Sequence, residues 1–182
     1  SGATCAIRSD DTAACWGASF DNSPRLSPPT GTFIHLSIDQ YHSCGVRSDN
    51  SVACWGLDYN GQVSNAPSSG SYTSLSGGGY SDCALATDET VLCWGEDSSG
   101  QSSPPSENFV QISATLNTVC GITTDGTISC WGSSSNNVDV PPSGTFKEIS
   151  GGNNHFCAIR SDDTVACWGL DNYGQSTPPA GT

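Results

Sequence analysis

Ten cysteines stand in five pairs, Cys5/Cys15, Cys44/Cys54, Cys83/Cys93, Cys120/Cys130 and Cys157/Cys167, and the members of every pair are ten residues apart. Each second cysteine is followed directly by Trp-Gly, at Trp16, Trp55, Trp94, Trp131 and Trp168, so the unit recurs at steps of 39, 39, 37 and 37. A fixed period of this size belongs to solenoids, propellers and arrays, in which one small supersecondary unit stacks on the next. An even cysteine count at one spacing reads as a disulfide framework, which persists outside a reducing cytosol. The expected location is therefore extracellular or cell-surface, as for a secreted protein. Zinc knuckles place two ligands as close as Cys-x2-Cys, a spacing that none of these pairs has, and no metal or other cofactor is expected.

The residues between the cysteines predict a hairpin. Asp125-Gly126 lies midway between Cys120 and Cys130 and is flanked by Ile122 and Ile128. A three-residue loop, Thr124-Asp125-Gly126, with Gly126 left-handed, sets Thr123 against Thr127, Ile122 against Ile128 and Cys120 against Cys130. Every pair then lies directly across two antiparallel strands, close enough to bond within its own repeat. The same left-handed position falls to Asp11, Asn50, Glu89 and Asp163; Asn and Asp tolerate it, and Glu89 is the awkward member. One face of each hairpin carries the cysteines with Ile7/Ala13, Val46/Val52, Leu85/Val91, Ile122/Ile128 or Ile159/Val165. The other carries small or polar residues and the tryptophan. Both faces read as at least partly buried, which is what stacked sheets require.

A further strand, Phe-x-x-Ile/Leu-Ser or its Tyr variant, recurs at Phe33 to Ser37, Tyr72 to Ser76, Phe109 to Ser113 and Phe146 to Ser150. Gly61-Gln62, Gly100-Gln101 and Gly174-Gln175 precede proline-bearing stretches that cannot continue a central strand, so they read as loops between sheets. The parts are five hairpins and five Trp-Gly loops against four such strands, leaving one strand short. Residues 1–182 therefore read as a single repeat domain, with repeats starting near 5, 44, 83, 120 and 157, belonging to a larger propeller, a tandem array or a multi-chain assembly. Composition narrows the partners. With 18 acidic against 5 basic residues, the net charge of −13 repels phosphate backbones and anionic lipid, so no nucleic acid is expected. No apolar run is long enough to span a bilayer, and no membrane insertion is expected.

The order Gly-x-x-His-x-Cys-Ala-Ile (Gly152 to Ile159), then Asp-x-Thr/Ser-Val, then Trp-Gly-x-Asp-x-x-Gly-Gln (Trp55 to Gln62, Trp94 to Gln101, Trp168 to Gln175) resembles the repeat of the regulator of chromosome condensation family. The resemblance covers five copies and essentially the whole chain. It implies a β-propeller with four-stranded blades, usually seven of them. Two copies depart from it: after Trp16 and after Trp131 the glycine-glutamine element is replaced, by Ala-Ser-Phe-Asp-Asn-Ser-Pro and by Ser133-Ser-Ser-Asn-Asn137. The cysteine-paired form is similar to secreted bacterial relatives and to the extracellular crinkly repeats of plant receptor kinases. The nuclear member's exchange and chromatin roles are not carried over to so acidic and cysteine-paired a chain.

Among candidate sites, His42 and His155 both lie two residues before a first cysteine and read as hydrogen-bonded repeat elements; His35 lies within a strand. No Gly-x-Ser-x-Gly elbow occurs and the acidic residues recur at turn tips, so no catalytic residue is assigned and the chain is read as a non-enzyme. The tips, Asp10, Asp11, Asp49, Asp88, Glu89, Asp125, Asp162 and Asp163, are expected on one solvated rim; calcium would need about six to eight oxygens converging on one point. Tyr59, Asn60, Asn172 and Tyr173, in the Trp-Gly loops, are the possible ligand-facing residues, able to stack on a sugar and bond its hydroxyls. The expected function is an extracellular structural or adhesive protein-interaction module, partnered by other proteins or by copies of itself. A carbohydrate-binding propeller is the alternative, and a secreted inhibitor binding an enzyme face-on comes third.

Overall fold

The described residues of the computed structural model, 2–17 and 24–179, contain fourteen strands. β1 (Ala3–Ile7) and β2 (Ala13–Gly17) form a two-stranded sheet. Four three-stranded antiparallel sheets follow: β3 (Phe33–Ile38), β4 (His42–Arg47) and β5 (Val52–Gly56); β6 (Tyr72–Gly78), β7 (Ser81–Ala86) and β8 (Val91–Gly95); β9 (Phe109–Ala114), β10 (Thr118–Thr123) and β11 (Ile128–Gly132); β12 (Phe146–Gly151), β13 (His155–Arg160) and β14 (Val165–Gly169). The result is an all-β propeller architecture with one blade per repeat. Among the described residues no helix is long and apolar enough to cross a membrane.

The hairpin register is the expected one. Cys120 faces Cys130 and Ile122 faces Ile128, and the other four hairpins repeat the pairing. All five disulfides close within their own repeat, as Cys5–Cys15, Cys44–Cys54, Cys83–Cys93, Cys120–Cys130 and Cys157–Cys167. Their Cα atoms are only 4.0–4.1 Å apart, because the cysteines occupy the close, non-hydrogen-bonded pairs of the ladder. Gly126 turns the chain at φ +86°, and Asp11, Asn50, Glu89 and Asp163 adopt φ of +63°, +68°, +70° and +72°.

The blades differ from the expected four strands. After β5 the chain leaves the sheet at Gly56, whose φ of +120° and closeness to His42 Cα, 2.7 Å from a would-be Cβ, admit no other residue without strain. The Asp58 carboxylate then accepts the N–H groups of Val63 and Ser64, and Gln62 Oε1 accepts that of Asn60. Asp97 and Gln101 act alike in the next loop, and Asp171 and Gln175 in the last. These amides are satisfied locally, so the Gly-Gln segment closes as a turn and adds no fourth strand.

Blades stack by a repeated division of faces. Val46 and Cys44 of one blade pack against Tyr72, Leu75, Ala84 and Trp94 of the next. Cys83 and Leu85, with the half-buried Cys93 and Val91 of the same hairpin, pack against Phe109, Ile112, Val119 and Trp131. Cys120 and Ile122 meet Phe146, Ile149, Phe156 and Trp168 in the same way. Each buried indole N–H donates to a backbone carbonyl of the preceding loop: Trp55 to Arg25 at 2.9 Å, Trp94 to Gln62 at 3.0 Å, Trp131 to Gln101 at 3.1 Å and Trp168 to Val138 at 2.9 Å. The two loops that lack Gly-Gln supply the same acceptor through short 3-10 turns, Pro24–Leu26 and Ser135–Asn137. The first strands of successive blades are joined by serines, since Ser37, Ser76 and Ser113 Oγ accept the N–H groups of Gly77, Ala114 and Gly151. His35 and Gln111 add side-chain bonds to Leu75 and Ile149 across the same seams.

Candidate interaction surfaces and a buried polar cluster

The stack ends in two unlike faces. Trp55, Trp94, Trp131 and Trp168 are 5–8% exposed, whereas Trp16 is 54% exposed. At the other end Cys157 and Ile159 of the last blade are only half-buried, although Cys44, Val46, Cys83, Cys120 and Ile122 at equivalent places are all but sealed. Among the described residues β1 pairs with β2 alone, on one side. Arg8 N–H donates to Thr12 O, and strand alternation from that bond points the Cys5 and Ile7 amides away from β2.

The hairpin tips carry a repeated carboxylate turn. Asp10, Asp49, Asp88, Asp125 and Asp162 Oδ1 each accept the backbone N–H and the hydroxyl of the Thr or Ser two residues on. These bonds favour the charged form and lower all five carboxyls; Asp125, with the Thr123 hydroxyl as well, falls to about 2. The acidic tips thus serve to close their own turns. Lys147 pairs with Asp163 at one tip.

Tyr59 and Tyr173 project from the Trp-Gly loops, 75% and 94% exposed, with Asn60 and Asn172 exposed beside them. A tyrosine pair that repeat reasoning passed over lies on the same side of two blades: Tyr41 and Tyr80 stack with ring centroids 4.7 Å apart and planes 6° from parallel. The hydrogen bond with Tyr41 is the main cause that raises the Tyr80 phenol above the ordinary range, and Tyr59 is near enough to add to it. Their shared signal was the position immediately before β4 and β7.

A polar cluster is sealed between the second and third blades. His42, opening β4, bonds through Nε2 to Asp82 of β7, and both side chains are 0% exposed. Asp39, just after β3, holds Oδ2 3.8 Å from the same ring nitrogen. Burial, then the Asp82 charge, push the Asp39 carboxyl up to about 8 against the pull of His42. Burial depresses His42, but Asp82, then Asp39 and Asp58, more than offset it and leave the imidazole above its ordinary value. His155, the sequence equivalent of His42, instead lays its ring over Gly152.

The repeated geometry has counterparts among known proteins. The regulator of chromosome condensation (RCC1) repeat matches residues 40–62, 109–137 and 146–175. Three stretches of the chain thus match the RCC1 repeat. Its fold is similar to that of the CRINKLY ectodomain of the Arabidopsis thaliana receptor kinase ACR4, at 29% identity and a TM-score of 0.77, over 93% of this chain and 63% of that one. It is similar to the ectodomain of the Physcomitrella patens receptor kinase CR4, at 25% identity and a TM-score of 0.79, over 93% of this chain and 49% of that one. Saccharomyces cerevisiae Prp20p shares the fold at 15% identity and a TM-score of 0.77, over 92% of this chain and 56% of that one. The chain thus spans less than two thirds of each. No curated protein matches it in sequence.

Proposed function

We propose that this chain is an extracellular protein-interaction module that associates end to end, the tryptophan face of its first blade docking on the cysteine face of another copy's last blade. The observation that carries the reading is Trp16, 54% exposed where its four equivalents are buried. Each of those four fills a seam made by a cysteine face and caps a loop carbonyl, so both halves of a further seam are present in one molecule. Trp16 still exposes about half of the roughly 150–250 Å² that an aromatic side chain buries, so sealing it removes on the order of 100 Å² from water, about 2–3 kcal/mol at about 25 cal/mol per Å² before the cost of association. Joining unlike faces makes a heterologous contact, which propagates into a ring or a filament. Supplementary repeats in a longer parent chain would occupy the same faces. Five disulfides and similarity to receptor ectodomains support the extracellular setting.

Sedimentation over a range of concentrations tests this. The disulfide-intact chain is expected to grow with concentration, and Trp16→Asp to stay monomeric. A native chain that remains a monomer throughout would refute self-association.

The stacked Tyr41 and Tyr80, with Tyr59 beside them, favour a second reading as a glycan platform, since sugars pack on aromatic faces. Glycan-array binding that disappears in Tyr41→Ala and Tyr59→Ala would select it.

A further inference from the structure

We propose that Asp39, His42 and Asp82 form a binding site for one borderline divalent cation of the zinc type, wedged between the second and third blades. The cluster is more than a group of acids. Asp82 Oδ1 and Asp39 Oδ2 are buried polar atoms without a hydrogen-bond partner, on side chains 0% and 9% exposed, and the Nε2 of the buried His42 lies against both residues. The two oxygens converge: a Cβ built on Gly77 would collide with both Asp39 Oδ2 and Asp82 Oδ1, so they aim at the small space that glycine leaves. Desolvated carboxylate oxygens without donors are costly, and a cation satisfies both at once.

Charge leads to the same conclusion. Two carboxylates crowding one buried space must either share a proton or meet a cation. A divalent ion would neutralise the carboxylate pair and leave His42 neutral, as a nitrogen ligand through Nε2. One imidazole and two carboxylates are a zinc-like donor set with a fourth position free; calcium and magnesium prefer oxygen alone. Cys44 Sγ lies within reach of His42 and Asp82 but is committed to its disulfide with Cys54. A cavity of about 150 Å³ at the ends of the first strands, lined by Asp39, Gly77, Gly78, Thr115 and Gly152 among others, reaches the edge of the cluster at Asp39 and Gly77. Such an ion would tie β3 and β4 to β7 across a seam otherwise held by packing and serine bonds.

Calorimetric titration of the disulfide-intact protein with Zn²⁺, with Ca²⁺ as comparison, tests the site. One saturating equivalent of Zn²⁺ is expected, at least about tenfold weaker in Asp39→Asn, Asp82→Asn and His42→Gln and unchanged in His155→Gln. No saturable uptake, as for carboxyls that merely share a proton, would overturn the proposal, as would uptake that survives both carboxylate variants. Should those variants misfold, Co²⁺ added to the unaltered protein decides: a tetrahedral visible spectrum without thiolate charge transfer supports the site, and the spectrum of the hydrated ion refutes it.

Discussion

The indole N–H of Trp94 donates to the carbonyl oxygen of Gln62 at 3.0 Å, tying the third blade to the loop that leaves the second. Gln62 is itself wholly buried, so nothing from solvent can replace that donor. Trp94→Phe keeps most of the packing and removes the bond. A buried acceptor left unpaired costs about 1–3 kcal/mol, and denaturant unfolding under non-reducing conditions should show a loss of that size. Trp16→Phe, at the exposed position, should leave monomer stability unchanged.

The turn carboxylates make stability fall in acid. Asp125 is lowered from 3.8 to about 2, so its contribution is present above the unfolded value and is lost as pH drops through the folded one. Asp10, Asp49, Asp88 and Asp162 shift in the same direction. The melting temperature should therefore decline between about pH 4 and about pH 2, and Asp125→Asn should flatten part of that decline.

Glu89 is a site for stabilisation. It holds φ +70° while its equivalents in three other hairpins are Asp or Asn and in the fourth Gly126. A left-handed residue of ordinary type costs about 1–2 kcal/mol, and Asn relieves part of that by local hydrogen bonding. Glu89→Asn should raise stability by about 0.5–1 kcal/mol in chemical unfolding.

The first hairpin isolates the effect of a cross-link. Cys5 and Cys15 are half-buried, so Cys5→Ser with Cys15→Ser removes the bridge with little cavity cost. Closing a loop of about ten residues is worth up to about 2.7 kcal/mol by chain entropy. Hydrogen exchange should show β1 and β2 opening before any other hairpin.

Local chemistry was readable from the residues alone. Hairpin register, disulfide pairing and the left-handed positions Asp11, Asn50 and Asp163 all follow from a loop of three residues between strands of period two. What was not readable depends on how blades stack. Arg25 and Val138 supply carbonyls to Trp55 and Trp168 from loops with no Gly-Gln signature, because a backbone acceptor leaves no trace in side-chain identity. His42 meets Asp82 across 40 residues, and Asp82 stands where the other repeats carry Thr4, Ser43, Val119 and Phe156, so repeat logic gave it no role. Tyr41 and Tyr80 stack only because two blades bring equivalent positions together. The four-stranded blade was an implication of the family resemblance, and the self-bonded loops after Asp58, Asp97 and Asp171 replace its outer strand.

End-to-end docking through the exposed tryptophan face is tested most directly by placing a photo-activated benzoylphenylalanine at position 16 and mapping its products by mass spectrometry. The account predicts links between two copies, landing on β13 and β14 near Ile159 and Val165. Absence of any link between copies, or links scattered over the acidic hairpin tips, would contradict it.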